Sequence, residues 1–264
     1  MTVLALYSNK GGVGKTAAAV NLSYLAAQQG AKTLIFDLDP QSSATYYFRV
    51  KPRLKTGKKG FIKGGKKVNK SIKGTDYENL DLLPAAFSLR NLDVTFDKLK
   101  RSKQRLGKII DPFKGKYDLI ILDCPVTINI LAENIFNAVD YTLVPIIPTT
   151  LSVRTYRQLL SFCKKNRYDV DKIYTFFSMV DRRKKMHKEL MATVSKEFNG
   201  VLQSPIPYLS KIERMGIERE PVAAFSPKSA AAKSYQNLWG KIQETILSHD
   251  KCKWMASGKI TGKR

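Results

Sequence analysis

The chain is poor in the residue types that build disulfide frameworks and metal clusters. Its 264 residues include three cysteines and two histidines. Cys124, Cys163 and Cys252 are far apart and form no CxxC pair, and His187 and His249 form no cluster. Zinc and iron–sulfur sites need several such ligands at short spacing. The sequence therefore argues against a disulfide scaffold and against a zinc or iron–sulfur site.

Acidic residues and long apolar runs are also scarce. The sequence contains only 22 Asp and Glu residues against 46 Lys and Arg residues, which gives a formal net charge of +24. This excess favours a polyanionic partner, nucleic acid before anionic lipid, over a general solubility bias. No run approaches the roughly 18 to 20 uncharged apolar residues of a membrane span, and the short apolar run at the start lacks a signal-peptide pattern. We expect a cytoplasmic protein with no membrane partner.

Strand-like apolar runs alternate with amphipathic stretches. The predicted strands lie near residues 2–8, 32–37, 80–84, 118–123, 140–146 and 172–179. The predicted helices lie near residues 15–29, 102–111, 128–137, 151–166, 184–198 and 227–248. Several strands are apolar on both faces, as in a parallel sheet covered by helices on each side. The fold class predicted is α/β, a doubly wound, mostly parallel sheet in one domain over residues 1–248, with a basic tail at 249–264.

One segment interrupts this alternation. Residues 49–75 contain 11 Lys or Arg, five Gly and no Asp or Glu. This composition indicates an exposed, flexible basic loop inserted into the domain. A contact with a polyanion is favoured over a merely solvated insertion, because so many like charges repel one another until counter-charge arrives.

A glycine-rich turn follows the first predicted strand. Residues 8–16 read SNKGGVGKT. Glycines let backbone N–H groups converge on phosphate oxygens, Lys15 can reach the β- and γ-phosphates, and Thr16 can hold Mg²⁺. Asn9 stands where the first glycine of such loops usually lies, and a second lysine, Lys10, follows it. The pattern predicts a triphosphate-binding loop with an additional cation.

Carboxylates end two further predicted strands. Asp37 and Asp39 stand in the sequence DLDPQ, and Asp123 ends the apolar run DLIILD. In P-loop proteins a strand-terminal Asp steadies Mg²⁺, usually through water. Asp123 is the natural candidate, Asp37 could support the metal shell and Asp39 could orient the attacking water. For Cys124, a buried strand-end thiol is favoured over a nucleophile, because no histidine lies near it in the sequence.

These three motifs together resemble the deviant Walker A ATPases of the ParA/MinD superfamily, which are P-loop NTPases. The match also includes residues 144–149, 177–183 and 204–207, and the resemblance implies that the last two segments lie beside the nucleotide base. DLDPQ followed by SSAT resembles the ParA branch more than the MinD branch. One departure is Val126, where the family commonly has a second proline after Asp123-Cys-Pro.

The resemblance implies ATP and Mg²⁺ as cofactors and a homodimer that forms on ATP binding. Lys10 would reach the partner's phosphates, and slow hydrolysis would be stimulated by an adaptor. The implied catalytic residues are Lys10, Lys15 and Asp39. The implied nucleotide-binding residues are Lys10, Gly11, Gly12, Val13, Gly14, Lys15, Thr16, Ala17, Arg182, Pro205 and Pro207. The implied metal site comprises Thr16, Asp37 and Asp123.

The ParA branch further implies non-specific DNA binding by the ATP-bound dimer and association with the nucleoid. The candidate DNA contacts are Arg183, Lys184, Lys185, Lys188, Lys211, Arg214 and Arg219, together with Lys251, Lys253, Lys259, Lys263 and Arg264 in the tail. A ParB-like or McdB-like adaptor would link the ATPase to its cargo, which is a partition complex or a protein body such as a carboxysome. We expect no sequence-reading domain, since the first strand starts near the N-terminus.

Two other functions remain open at this point. A MinD-like regulator at a membrane surface is the main alternative, since residues 253–260 have some amphipathic character. Gly258 and Gly262 weaken a helix there. A metabolic P-loop enzyme comes third, because no substrate-specific group of residues is apparent.

Overall fold

A single sheet forms the centre of the molecule in the computed structural model, which describes residues 1–250 and the side chains of residues 1–248. Its strands are β1 (Thr2–Leu6), β2 (Thr33–Asp37), β3 (Lys73–Gly74), β4 (Leu80–Leu83), β5 (Leu119–Asp123), β6 (Tyr141–Ile146), β7 (Ile173–Phe177) and β8 (Val201–Leu202). Their order across the sheet is β3-β4-β2-β5-β1-β6-β7-β8. Only β3, at one edge, runs antiparallel to its neighbour. The predicted doubly wound, mostly parallel fold is confirmed.

Helices connect the strands and cover both faces of the sheet. They are α1 (Lys15–Gln28), α2 (Ser43–Tyr47), α3 (Gly57–Lys63), α4 (Lys66–Asn69), α5 (Leu92–Asp97), α6 (Arg105–Ile110), α7 (Ile130–Ala138), α8 (Thr150–Lys165), α9 (Lys185–Glu197), α10 (Ser210–Glu213), α11 (Met215–Glu218), α12 (Val222–Phe225) and α13 (Ala230–Thr245). Short 3₁₀ turns lie at Phe87–Leu89, Ser102–Gln104, Asp111–Phe113, Val170–Lys172 and Leu247–Asp250. Within residues 1–250, none of the helices combines the length and the apolar character needed to cross a membrane.

Two apolar layers hold these helices to the sheet. Successive residues of β1 point to opposite faces, so that Val3 packs in one layer and Leu4 in the other. In the first layer Phe36 and Phe113 meet edge to face, with ring centroids 5.8 Å apart. In the second layer Trp239 of α13 is buried against α1. Both faces of the central strands are therefore dry, as their continuous apolar runs predict.

The basic segment at residues 49–75 differs from the flexible loop predicted for it. It folds into α3, α4 and the edge strand β3, and Leu54, Phe61 and Val68 are buried in the first layer. These three apolar residues recur at a spacing of seven in the sequence, and all three pack into the same layer although the helix is interrupted between α3 and α4. The prediction was wrong because the density of lysine and glycine obscured this apolar spacing.

A pair of glycines lets the segment turn back onto the domain. Gly64 and Gly65 separate α3 from α4 with φ angles of 69° and 58°, which side chains rarely adopt. A Cβ on Gly64 would lie 3.5 Å from the carbonyl oxygen of Lys108 on α6. The turn is thus packed closely against α6.

We predict that Phe61→Ala lowers the free energy of unfolding by about 3–5 kcal/mol, because it removes a large side chain from a packed layer. Urea denaturation measures this change. Lys63→Ala, an exposed position in the same helix, is the matched control and should shift stability by no more than about 0.5 kcal/mol. Equal stability of Phe61→Ala and wild type would show that the segment is not anchored in the core.

Candidate nucleotide site

The predicted phosphate loop connects β1 to α1. Gly12 and Gly14 have φ angles of 68° and 89°. A Cβ on Gly14 would lie 2.8 Å from the Ser178 hydroxyl oxygen, so a larger residue would have to displace that hydroxyl and adopt a strained backbone conformation. The backbone N–H of Lys10 donates a hydrogen bond to the Ser8 hydroxyl at 3.1 Å. The loop is therefore shaped by glycine and seated against the carboxyl end of β7.

The N-terminus of α1 is directed into this loop. Gly14 caps the helix without a side-chain hydrogen bond, and the first turn contains no acidic residue. The first amide groups of a helix have no partner within the helix and carry a partial positive charge. Together with the loop amides, they form a suitable site for phosphate oxygens.

Lys15 is a buried cation at the start of α1, with 7% of its surface exposed. Burial lowers the pKa of its ammonium group, and the nearby carboxylate of Asp123 partly opposes this effect. A desolvated lysine interacts with an anion more strongly than a hydrated one does. Its position at the glycine loop is the one predicted for a phosphate-binding lysine.

Asp123 is a fully buried carboxylate at the end of β5. Neither of its oxygens makes a well-formed hydrogen bond within the described residues. Burial raises its pKa well above the usual range, and the charge of Asp37 adds to the shift, whereas the Thr16 hydroxyl and Lys15 oppose it. An orphaned, buried carboxylate is costly unless a cation or a donor comes to it.

The two neighbouring carboxylates are engaged differently. Asp37 is directly opposite Asp123 in the parallel register of β2 and β5. Its carboxylate accepts bonds from the backbone and the hydroxyl of Thr45, at 2.8 and 2.6 Å, and from the backbone of Asp39. Burial raises the pKa of Asp37 despite these bonds. Asp39 accepts a bond from the backbone of Gln41 at 2.9 Å and is only half-buried, so its carboxylate remains accessible from the loop.

These groups fit a divalent cation that is bound together with phosphate. Among the described residues, no cluster of three or more His, Cys, Asp or Glu side chains could hold a metal alone. Mg²⁺ prefers oxygen ligands and usually takes only one or two from the protein, with the rest from phosphate and water. The Thr16 hydroxyl and the orphaned Asp123 carboxylate match this demand. Asp37 is nearer to a supporting role, because Thr45 and Asp39 already occupy its oxygens.

Cys124 and Val126 border the same loop. Cys124 is buried, and burial together with the charge of Asp123 raises the pKa of its thiol well above the usual range. A thiol held in its neutral form is a poor nucleophile, which supports the interpretation of Cys124 as a buried strand-end residue. Val126 is 49% exposed and lies next to Gly11 of the phosphate loop.

Two loops predicted to contact the nucleotide base are joined by backbone hydrogen bonds. Val180 donates to the carbonyl of Ile206, and Tyr208 donates to the carbonyl of Val180, both at 3.0 Å. This pairing brings Pro205 and Pro207 beside the segment that leads to the exposed Arg182. The structure thus brings these predicted residues together, and their contact with a base remains a prediction.

Several candidate DNA contacts already have intramolecular partners. Arg183 makes two guanidinium bonds to Asp181, each 3.0 Å long, and with a backbone bond it lowers the pKa of Asp181 to about 2. Lys185 pairs with Glu189, Arg214 pairs with Glu218, and the Arg219 guanidinium stacks 4.4 Å from the Tyr46 ring centroid. The remaining candidates on the described part of the chain are exposed: Lys184, Lys188 and Lys211. The candidates in the tail, residues 251–264, lie outside the described residues.

Sequence reasoning missed two residues that shape the site. Thr45 holds Asp37 and also accepts a hydrogen bond from the backbone of Ala85 at 3.0 Å. Ser178 provides the surface against which Gly14 packs. Both are small hydroxyl residues near strand ends, a weak signal that fits many other roles.

Comparisons with known proteins agree with this geometry. The profile of a family described as an AAA domain matches residues 1–176. A virulence plasmid ParA family protein of Chlamydia psittaci is 28% identical over 95% of this chain and 98% of its own length. The sporulation initiation inhibitor protein Soj of Bacillus subtilis is 27% identical over 89% of this chain and 96% of its own length.

Solved structures share the fold. A protein of Borrelia burgdorferi B31, described as a plasmid partition protein and bound to AMPPNP, superposes with a TM-score of 0.81 at 23% identity, over 93% of this chain and 99% of that one. Cobyrinic acid a,c-diamide synthase of Mycobacterium smegmatis, with bound ADP and magnesium, gives a TM-score of 0.77 at 24% identity, over 95% and 96% of the two chains. At such identities these likenesses show the fold alone.

The family profile covers the phosphate loop, all three candidate carboxylates and six of the strands in the sheet. It spans 176 of the 264 residues, and the ParA and Soj relatives align over nearly the full length of both chains. The chain therefore belongs to the AAA-domain family and, within it, to the ParA branch of the ParA/MinD superfamily of P-loop ATPases.

Proposed function

We propose that this protein is a partition ATPase that binds ATP with Mg²⁺, dimerises around the nucleotide and then holds DNA without sequence preference. One observation carries the proposal: a buried lysine and an orphaned buried carboxylate meet at a glycine loop on the N-terminus of α1. Lys15 and Asp123 are costly in an empty site and are both compensated by a metal–triphosphate complex.

Each residue of the site then has a distinct task. The loop amides and Lys15 bind and orient the β- and γ-phosphates, and Thr16 and Asp123 would hold Mg²⁺, with Asp37 supporting them. The metal, when bound, neutralises charge on the phosphate oxygens. Asp39 is accessible and orients the attacking water. No strong general base accompanies it in the part of the chain that the structure describes, so we expect slow hydrolysis, which an adaptor would stimulate.

The surface around the site supports the proposed dimer. Large apolar side chains are exposed in the loops and first helical turns that follow the carboxyl ends of several strands: Phe87, Val126, Ile128, Leu151, Met186 and Tyr208. Exposed apolar groups on one side of a protein mark interaction sites. Lys10 is half-buried in the loop on this same side. We propose that it reaches the phosphates bound by the second subunit, where it stabilises transition-state charge as an arginine finger does.

DNA binding by the dimer follows from its charge. Two copies present twice the number of basic residues to one DNA molecule, which raises affinity through added phosphate contacts. A ParB-like or McdB-like adaptor would stimulate hydrolysis and so release the DNA, and the cargo would be a partition complex or a protein body.

Co-sedimentation with DNA tests whether ATP controls DNA binding: binding should be stronger with ATP than with ADP or without nucleotide. Equal binding in all three states would contradict it.

We predict that Lys10→Ala still binds ATP but dimerises at least about tenfold more weakly and hydrolyses ATP about a hundredfold more slowly, since the shared cation is lost. Analytical ultracentrifugation and phosphate release measure these effects. Lys32→Ala is the control, because Lys32 is exposed at the amino end of β2, away from the loop. Dimerisation and hydrolysis at wild-type levels in Lys10→Ala would exclude the shared site.

We predict that Asp39→Ala binds ATP normally, hydrolyses it about 10²–10⁴-fold more slowly and accumulates as the ATP-bound dimer, because water is no longer oriented. Asp39→Asn retains an acceptor for the Gln41 amide and removes only the charge. The two variants should therefore be equally slow. Recovery of turnover in Asp39→Asn would indicate a structural role, and normal turnover in both would remove Asp39 from the mechanism.

We predict opposite effects of Asp123→Asn on stability and on metal-dependent binding. Without ligands, the Asp123 carboxyl stays protonated to a higher pH in the folded state than in the unfolded chain, because burial raises its pKa. Wild-type stability should therefore fall as pH rises above about 4. The variant avoids this buried charge and should be about 1–3 kcal/mol more stable to urea at pH 7.

Bound nucleotide provides the second readout for this variant. Mg²⁺ with ATP should raise the melting temperature of wild type more than ATP with a chelator does, and Asp123→Asn should lose this difference. Asp97→Asn, at an exposed position in α5, is the control for a lost carboxylate. An unchanged magnesium effect in Asp123→Asn would show that Asp123 is not part of the metal site.

A further inference from the structure

The folded basic segment presents a surface with an unusual charge balance. We define the basic shelf as the Lys and Arg side chains of residues 51–73, which contain no Asp or Glu. The shelf comprises Lys51, Arg53, Lys55, Lys58, Lys59, Lys63, Lys66, Lys67, Lys70 and Lys73. Nine of these ten are exposed and Lys58 is half-buried. In the part of the chain that the structure describes, none of them forms an ion pair within 4.0 Å.

This lack of partners distinguishes the shelf from two of the arginines that are candidate DNA contacts elsewhere. Arg183 and Arg214, which the family resemblance nominates for DNA, are each bound to a carboxylate of their own chain. A cation that is already paired must exchange that partner for a phosphate. An unpaired cation needs only to release its mobile counterions, which favours binding at low salt.

The shelf is held rigidly on its underside. Leu54, Phe61 and Val68 are buried in the first apolar layer, and the hydroxyl of Thr56 donates to the carbonyl of Lys67 at 3.1 Å. Close packing of Gly64 on α6 adds Lys108, an exposed cation, to the same region. The backbone that carries the charges is therefore already ordered, so binding costs less conformational entropy than ordering a flexible loop would.

The apolar content of the segment favours nucleic acid over a membrane. Membrane-surface elements insert exposed apolar side chains beside their cations. Here Phe61 and Val68 point into the core, Ile62 and Ile72 pack against it, and no large apolar side chain of residues 51–73 is highly exposed. What remains outside is cationic, which matches the phosphate backbone of a nucleic acid.

We propose that the basic shelf is a nucleic-acid-binding surface that acts in the monomer and without ATP. The described hydrogen bonds of residues 51–73 stay within the segment, apart from the pairing of β3 with β4, and none reaches the phosphate loop or its carboxylates. The shelf lies on the β3 side of the sheet, whereas α9, which carries Lys185 and Lys188, follows β7 near the other edge. It is thus a second DNA contact, additional to the ATP-gated one proposed above.

The test compares two variants that lose the same charge. The shelf variant carries Lys58→Gln, Lys59→Gln, Lys66→Gln and Lys67→Gln. The control variant carries Lys164→Gln, Lys165→Gln, Lys196→Gln and Lys233→Gln, which are exposed lysines without a described ion pair on other helices. Fluorescence anisotropy with a labelled duplex of arbitrary sequence measures binding by nucleotide-free protein over about 50 to 200 mM salt.

We predict that the shelf variant binds DNA at least about tenfold more weakly than wild type at the lowest salt. The slope of log K against log salt should fall by about 2 to 4, since each lost phosphate contact removes about 0.9. The control variant should lose less than threefold in affinity. Equal losses in the two variants, or none in the shelf variant, would overturn the proposal.

Two further measurements separate this proposal from its alternatives. The Lys10→Ala variant should lose the ATP-dependent gain in DNA binding and keep the nucleotide-free binding; the shelf variant should show the reverse. If both variants lose only the ATP-dependent gain in DNA binding, the proposal for the basic shelf is contradicted, whereas the proposal for the ATP-gated dimer is not.

Anionic vesicles of phosphatidylglycerol and phosphatidylcholine should compete weakly with DNA. Capture by vesicles together with failure to bind DNA would identify a membrane surface instead. Circular dichroism of both quadruple variants checks that they fold.

Discussion

The buried charges at the carboxyl end of the parallel sheet are the constraint around which this molecule is organised. Parallel pairing of β2, β5 and β1 in one register sets Asp37 beside Asp123 and brings both to the loop that ends in Lys15. Two carboxylates and one ammonium group in a dry interior leave unbalanced charge that local hydrogen bonds compensate only in part. The glycine loop, the direction of α1 and the half-buried Thr16 beside Asp123 are the features by which a charged ligand would complete this arrangement.

The same carboxylates also shape their surroundings. Asp37 holds α2 through Thr45, and the next residue of α2 is Tyr46, whose ring and carbonyl oxygen both contact Arg219. Asp37 is therefore linked through α2 to Arg219, which directly follows α11. Gly14 and Ser178 form a comparable contact between the phosphate loop and the end of β7. The Asp37–Thr45 and Gly14–Ser178 contacts therefore connect the nucleotide site to β2 and to β7, which lie on opposite sides of β1 in the sheet.

The sequence predicts much of the site because its motifs have strict local requirements. A glycine loop between an apolar strand and a helix has few alternative uses, and a carboxylate that ends a doubly apolar strand lies at the carboxyl edge of the sheet. The sequence therefore predicts that Lys15, Asp37 and Asp123 lie close to one another, as they do, while their roles toward a nucleotide and a metal stay predictions. Contacts between distant segments, such as Gly14 with Ser178, have no local pattern. The basic segment shows the opposite failure: its composition indicated an exposed, flexible loop, whereas Leu54, Phe61 and Val68 are buried in the first apolar layer.

Arg49 gives this segment an additional property. Its guanidinium binds Asp76 at 3.3 Å and also contacts Glu220, so the two ends of the insertion are fastened side by side. Insertions with adjacent ends are easily gained, because the parent chain needs little rearrangement to accommodate them. Phe61 and its apolar neighbours, however, have become part of the interior. Deleting the segment would therefore leave only a short gap between Arg49 and Asp76, but it would expose the apolar surface that Leu54, Phe61 and Val68 now cover.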